Sequence, residues 1–257
     1  MLLSEGNEYP TWESYFYPET IDPITGCGCL INKFDIRDGE VLQNVETAFT
    51  MVRAIEWLDK PLAEDFSYEH FKAIHRHVFQ DVYPWAGQER HVGMVKGGHR
   101  YYPPGPGLTR EAERLFDSLG ADNCLRGLDR QDFVKALAEY WGEINVVHSF
   151  REGNTRTQSV FFSQLAEQAG HPIPVHKLSQ EPLRGEFVAA RFYSQDTGSN
   201  AALAEVLNKI IYPGNPRLAD HYTKSNIGDY VQRRFLERHI NITESSIKPQ
   251  KKHRPRR

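Results

Sequence analysis

The sequence predicts a mainly α-helical domain that carries one short β-hairpin. Apolar residues recur at three- and four-residue steps in several segments, Gly and Pro punctuate those segments, and only 88–101 alternates in the manner of strands. With 257 residues, 39% of them hydrophobic and 25% charged, the chain has a globular composition and the length for a sizeable core. No run approaches the ~18 uncharged apolar residues of a membrane span, and the opening residues lack the basic and apolar regions of a secretory leader. Cys27, Cys29 and Cys124 fit neither a disulfide framework nor a zinc knuckle, so reduced thiols and a cytoplasmic location are expected.

Residues 1–40 are rich in turn formers and aromatics and read as an extension that packs on the core; 41–212 form the helical domain, and 213–257 a last helix and a basic disordered tail. The first helix is expected over Val41–Leu58, with Val45, Ala48, Phe49, Val52, Ile55 and Trp57 as its apolar stripe and Pro61 as its stop. Ser67 caps a second helix, in which Phe71, Ile74, His75, Val78 and Phe79 share one face. Residues 88–101, with Gly93, Gly97 and Gly98, suit a hairpin too small to stand alone, which therefore lies over the helical body. After a rigid Pro-Gly loop at 103–107, helices are expected from Thr109, from Asp129 or Arg130, over Arg156–Gln168, and near 184–197, 200–212 and 225–238. The helix after Asp129 is the most strongly patterned, burying Phe133, Leu137, Tyr140, Trp141, Ile144 and Val147. Residues 248–257 hold six Lys and Arg and no acid, in a chain of formal net charge −3. No aromatic or fold signal accompanies this run, so it reads as a solvated end; a salt-sensitive nucleic-acid arm is the alternative.

One loop is dense in reactive groups: His148-Ser149-Phe150-Arg151-Glu152-Gly153-Asn154-Thr155-Arg156, between two apolar helices. Gly153, Asn154 and Thr155 precede a helix whose first N–H groups have no intrahelical acceptor, and such a nest binds phosphate. Arg156 sits awkwardly at the positive end of a helix dipole unless an anion lies beside it, which suits a phosphate clamp. Glu152 is a hard oxygen donor placed for a Mg²⁺ that bridges to a di- or triphosphate, and His148 can take a proton from a hydroxyl. Phe150, apolar among charged neighbours, anchors the loop in the core. Taken singly, His148 is better explained as a hydrogen-bonded core histidine, and Glu152 with Arg151 as a solvated pair.

The stretch His148 to Ser159 resembles the signature of the Fic (filamentation induced by cAMP) family, His-Pro-Phe-x-Asp/Glu-Gly-Asn-Gly-Arg-x-x-Arg. His148, Phe150, Glu152, Gly153, Asn154 and Arg156 match; Ser149, Thr155 and Ser159 depart. Tyr15-Phe16-Tyr17-Pro18, Leu30 to Phe34, Tyr83-Pro84-Trp85-Ala86-Gly87 and Val95-Lys96-Gly97-Gly98 resemble landmarks upstream, so the likeness covers roughly residues 15 to 185. It implies a compact helical Fic-type fold with a hairpin flap over the active site, and a protein adenylyltransferase that moves AMP from Mg-ATP to a Ser, Thr or Tyr hydroxyl. Within it His148 is the base, Glu152 the Mg²⁺ ligand, Gly153, Asn154, Thr155 and Arg156 the phosphate site, and Lys96, Gly97 and Gly98 nucleotide contacts. The resemblance also implies that the target protein docks on the 88–101 hairpin.

Thr155 stands where the common form has Gly, and Ser159 where it has a second Arg that often touches the terminal phosphate. The Doc branch, with Lys at the position of Thr155, transfers a phosphoryl group, so Doc-like phosphotransfer or another nucleotide donor is the alternative enzymatic reading. A catalytically inactive binding module is a third. The family's inhibitory motif, Ser/Thr-x-x-x-Glu followed by Gly or Asn, has no complete copy here. The resemblance is therefore to the stand-alone type, possessing no inhibitory helix of its own, a candidate toxin of a toxin-antitoxin pair held by a separate antitoxin protein.

Overall fold

The computed structural model describes residues 9–59 and 65–211. Expectations that fall on Pro61, on a helix over 225–238 and on the basic tail lie outside these residues. The described residues form seven helices and one two-stranded antiparallel sheet, in the order α1 (Gly39–Asp59), α2 (Tyr68–Phe79), β1 (Val95–Lys96), β2 (His99–Arg100), α3 (Pro106–Ala121), α4 (Arg130–Val147), α5 (Asn154–Gln168), α6 (Leu183–Thr197) and α7 (Ala201–Ile210). The mainly α class and the small hairpin agree with the sequence. None of these helices is long and apolar enough to cross a membrane.

Helix α4 is central and packs against α3, α5, α6 and α7, while α2 lies between α1 and α5. Its start is set by Asp129, whose carboxylate accepts the N–H of Asp132 at 2.9 Å. Phe133, Leu137, Trp141, Ile144 and Val147 are buried as expected; Tyr140 is half-buried, its hydroxyl donating to Asp122 at 2.5 Å. Ser67 caps α2 by accepting the N–H of His70 at 3.1 Å, and all five residues of its expected stripe are buried. Phe71, Phe116, Phe150 and Phe161 meet at centroid separations of 5.2 to 5.5 Å where α2, α3 and α5 converge.

Four expectations need correction. Helix α1 turns Leu42, Glu46, Thr50 and Trp57 inward, whereas Phe49 is 40% and Val52 54% exposed. The inward face is polar because Glu46 and Thr50 both bond Arg156; Phe49 packs instead on Phe34 at the surface, 5.0 Å between centroids. Helix α3 begins at Pro106 rather than Thr109, since Pro at the first helical position loses no hydrogen bond and Gly105 takes the φ of 101° that precedes it. Helix α5 begins at Asn154 rather than Arg156, because Gly153 at φ 84° turns the chain directly into it. The hairpin is confined to Val95–Arg100, with Val95 opposite Arg100 and Lys96 opposite His99, and Gly97 and Gly98 at φ 58° and 86° form its two-residue turn. Residues 88–94 are not a strand: Arg90 is 1% exposed and draws that segment into the core.

Candidate active site

His148 ends α4 in the left-handed conformation, φ 50° and ψ 59°, which is uncommon for a residue with a side chain. Arg90 holds it there. Its Nε donates to His148 O at 2.7 Å, Nη1 to Val92 O at 2.7 Å, and Nη2 to Tyr102 O and, at 3.1 Å, to Val147 O. The imidazole is 7% exposed and stacked on Tyr101, 3.7 Å between centroids. Nδ1 lies 3.2 Å from Asn145 O; a carbonyl only accepts, so Nδ1 carries the proton and Nε2 presents its lone pair. Burial, reinforced by the positive charge of Arg191, pulls the pKa down to about 3 and keeps His148 neutral.

The loop that follows is built from the core outward. Phe150 is fully buried, and the side-chain amide of Asn154 closes a ring on it, accepting Phe150 N–H at 2.9 Å and donating to Phe150 O at 2.6 Å. The contribution Asn154 can make to a ligand is thus its backbone N–H. The first helical bond of α5 runs from Thr157 N to Gly153 O, 3.0 Å, so the amides of 154–156 precede the ladder and form the expected nest. Gly153 lies against the ring of Phe79. His75 fixes the loop from beneath: Nδ1 accepts Gly87 N–H at 2.7 Å, so Nε2 carries the proton and donates to Glu152 O at 3.0 Å, with the ring 3.8 Å from Phe150. Burial holds His75 near a pKa of about 3.

Glu152 accepts Gly153 N–H at 2.8 Å, lies 3.3 Å from Arg156 Nη2, and has a side chain 44% exposed on the solvent side of the nest. Among the described residues no three His, Cys, Asp or Glu gather as a metal cage. The half-exposed Glu152 carboxylate is a hard oxygen donor of the kind Mg²⁺ takes together with phosphates and waters. Arg156 donates to Glu46 Oε1 at 2.5 Å and to Thr50 Oγ1 at 3.1 Å and lies over Phe79, while the Tyr83 hydroxyl donates to the other oxygen of Glu46. The guanidinium of Arg151 is 3.8 Å from the centre of the Trp12 ring, so this residue is an anchor for the N-terminal segment and not a solvated partner of Glu152.

Lys96, Gly97 and Gly98 are exposed at the hairpin tip. Lys96 is close enough for its charge to act on His148. The hairpin is tied to α6 by His99, which stacks on Phe192 at 4.2 Å and bonds Asp196 at 2.6 Å, and by Gln195, which donates to Arg100 O at 2.6 Å. Glu46, His75, Arg90 and Arg191 surround the signature loop and were not singled out as functional in the sequence, because each lies far from the loop in the chain.

The Fic/DOC family profile matches residues 65–166. The probable protein adenylyltransferase y4lH of Sinorhizobium fredii is 38% identical over 189 residues, 72% of this chain and 95% of that protein. The chain belongs to the Fic/DOC family. Another Fic/DOC relative, protein adenylyltransferase VbhT of Bartonella schoenbuchensis, is 33% identical over 184 residues, 70% of this chain; the chain spans only 38% of VbhT. The Fic/DOC fold recurs in the BepC protein of Bartonella tribocorum, solved with bound AMPPNP: TM-score 0.67, 22% identity, 79% of this chain and 98% of that one.

Proposed function

We propose that this Fic/DOC protein transfers AMP from Mg-ATP to a Ser, Thr or Tyr hydroxyl of another protein. The observation that carries the reading is the pairing of a neutral His148, Nε2 free of the proton, with the amide nest at 154–156. The target hydroxyl gives its proton to Nε2 as its oxygen bonds the α-phosphorus; the bond from that phosphorus to the bridging oxygen breaks, and pyrophosphate leaves. The N–H groups of the nest and the guanidinium of Arg156 hold the phosphate oxygens, which requires Arg156 to turn from Glu46. Glu152 would hold Mg²⁺, whose charge offsets that of the leaving phosphates. Lys96 with Gly97 and Gly98 lies over the nucleotide, and a target segment pairs along the hairpin as an added strand. The relatives' names support the reaction class.

The protein works in the cytoplasm, and a separate antitoxin protein restrains it as the toxin of a pair; Ser159 cannot make the contact that an inhibitory Glu makes with the family's second Arg. Incubation with Mg-ATP and lysate should add about 329 mass units to a target, the nominal mass of an AMP group, and His148→Ala should reduce the rate at least ~10²-fold with the fold intact. An unchanged rate in His148→Ala refutes the mechanism. Thr155 favours a second reading, Doc-like phosphotransfer, with a nominal gain of about 80 mass units. Thr155→Gly leaves the added group as AMP on the first reading and changes it on the second.

A further inference from the structure

We propose that Arg191, on α6 and outside the signature loop, is a phosphate-binding residue of this site, holding the phosphoryl group under attack beside His148. The inference rests on the nucleotide-transfer reading and adds a residue to it. Arg191 is 8% exposed, and its Nη1 donates to Thr155 Oγ1 at 3.2 Å, yet its buried Nε has no hydrogen-bond partner. Its ring contact is with Phe187, 5.0 Å to the centroid, which supports the guanidinium without neutralising it.

The other arginines of the site are differently placed. Arg90 donates to four carbonyls, Arg156 is paired with Glu46 and Glu152, and Arg151 lies over aromatic rings of the N-terminal segment. Among the described residues Arg191 has no carboxylate within ion-pair distance. A buried cation so placed is costly until an anion meets it. One contact locates that anion: Thr155, which takes the Arg191 hydrogen bond, is in the first turn of α5, at the amide nest. Arg191 is also the charged side chain acting most strongly on His148. The guanidinium is therefore bonded at the nest and near enough to the base for its charge to act there, which suits a hold on the attacked phosphorus. Thr155 gains a role as well: its hydroxyl positions Arg191, and the chain has a second phosphate-directed cation beside Arg156 although Ser159 supplies none.

The test is calorimetric binding of Mg-ATP and of AMP to the full chain, with wild type, Arg191→Gln, Arg191→Lys and Thr155→Val compared, and AMP transfer to lysate protein measured alongside. Because AMP retains the α-phosphate, Arg191→Gln should weaken both nucleotides at least tenfold and slow transfer about 10²-fold, the usual loss for one donor to developing charge. Its melting temperature should hold or rise. Arg191→Lys and Thr155→Val should fall between. Wild-type affinities in Arg191→Gln overturn the proposal, as does a loss confined to ATP, which would put Arg191 on the distal phosphates. Should the Gln variant fail to fold, Arg191→Lys decides by the same measure, an unchanged affinity for both nucleotides refuting the assignment. A wild type that binds both nucleotides but transfers nothing refutes the transfer reading and leaves the binding arms to judge Arg191; a wild type that binds neither overturns both.

Discussion

Gly153→Ala puts the geometry of the signature loop to a quantitative test. Gly153 holds φ at 84°, a region that costs a residue with a Cβ about 1–2 kcal/mol. The added methyl would overlap Cζ and Cε2 of Phe79 and lie 2.9 Å from Cε1, well inside contact distance. Phe79 cannot swing clear freely, since it is fully buried, stacked on His75 at 4.7 Å and covered by Arg156. Overpacking of this kind costs about 1–3 kcal/mol, so the substitution should destabilise by about 2–5 kcal/mol in urea unfolding. Pairing it with Phe79→Leu separates the terms: the strain in φ remains, the clash is relieved, and the double variant should be less destabilised than the sum by about 1–3 kcal/mol. AMP transfer should fall by ~10² even where the protein stays folded, because the amides of 154–156 move with the loop. A Gly153→Ala variant within about 0.5 kcal/mol of wild type, or a strictly additive cycle, would refute the reasoning.

Two further outcomes follow from buried charge. His75 and His148 are both held near pKa about 3 in the folded state against an ordinary 6.5. As pH falls below about 6.5 the unfolded chain therefore takes up protons that the folded chain refuses, and stability drops by up to about 1.4 kcal/mol per pH unit for each. Between pH 7 and 5 urea unfolding should show a loss that His75→Gln reduces, and kcat/KM, which reports the free enzyme, should have no acid limb at 6.5; such a limb would count against the neutral His148. Glu46→Ala leaves Tyr83 without an acceptor and Arg156, whose side chain is 35% exposed, with Glu152 as its remaining carboxylate, and should cost about 1–3 kcal/mol by thermal unfolding, with Glu46→Gln costing less.

Segments that carry their own boundaries were legible in the sequence. Ser67 and Asp129 accept N–H groups three residues ahead, and the apolar stripes of α2 and α4 bury largely as their periodicity requires. Periodicity failed at α1 because it assumes that the inward face is apolar, and here that face answers a cation 110 residues away. The same distance in sequence hid the supports of the site: His75 reaches Glu152 across 77 residues and Arg191 reaches Thr155 across 36. A motif names groups that act together in one loop; it is silent about groups brought to that loop by packing.

Arg90 exemplifies what packing adds. Its four acceptors lie on three segments: Val147 and His148 at the end of α4, Val92 before the hairpin and Tyr102 after it. The guanidinium fork thus joins the backbone of the base to both legs of the flap, and its N–H adds a fifth bond, to Ser149 O at 2.8 Å. Because Tyr101 stacks on the imidazole one residue before Tyr102, any shift of the hairpin legs is felt at His148 through both a ring and a carbonyl. On the proposed docking, a target strand added to the flap would load on the element that sets the direction of Nε2, and the left-handed turn at His148, costly in isolation, is held by contacts from the same residue.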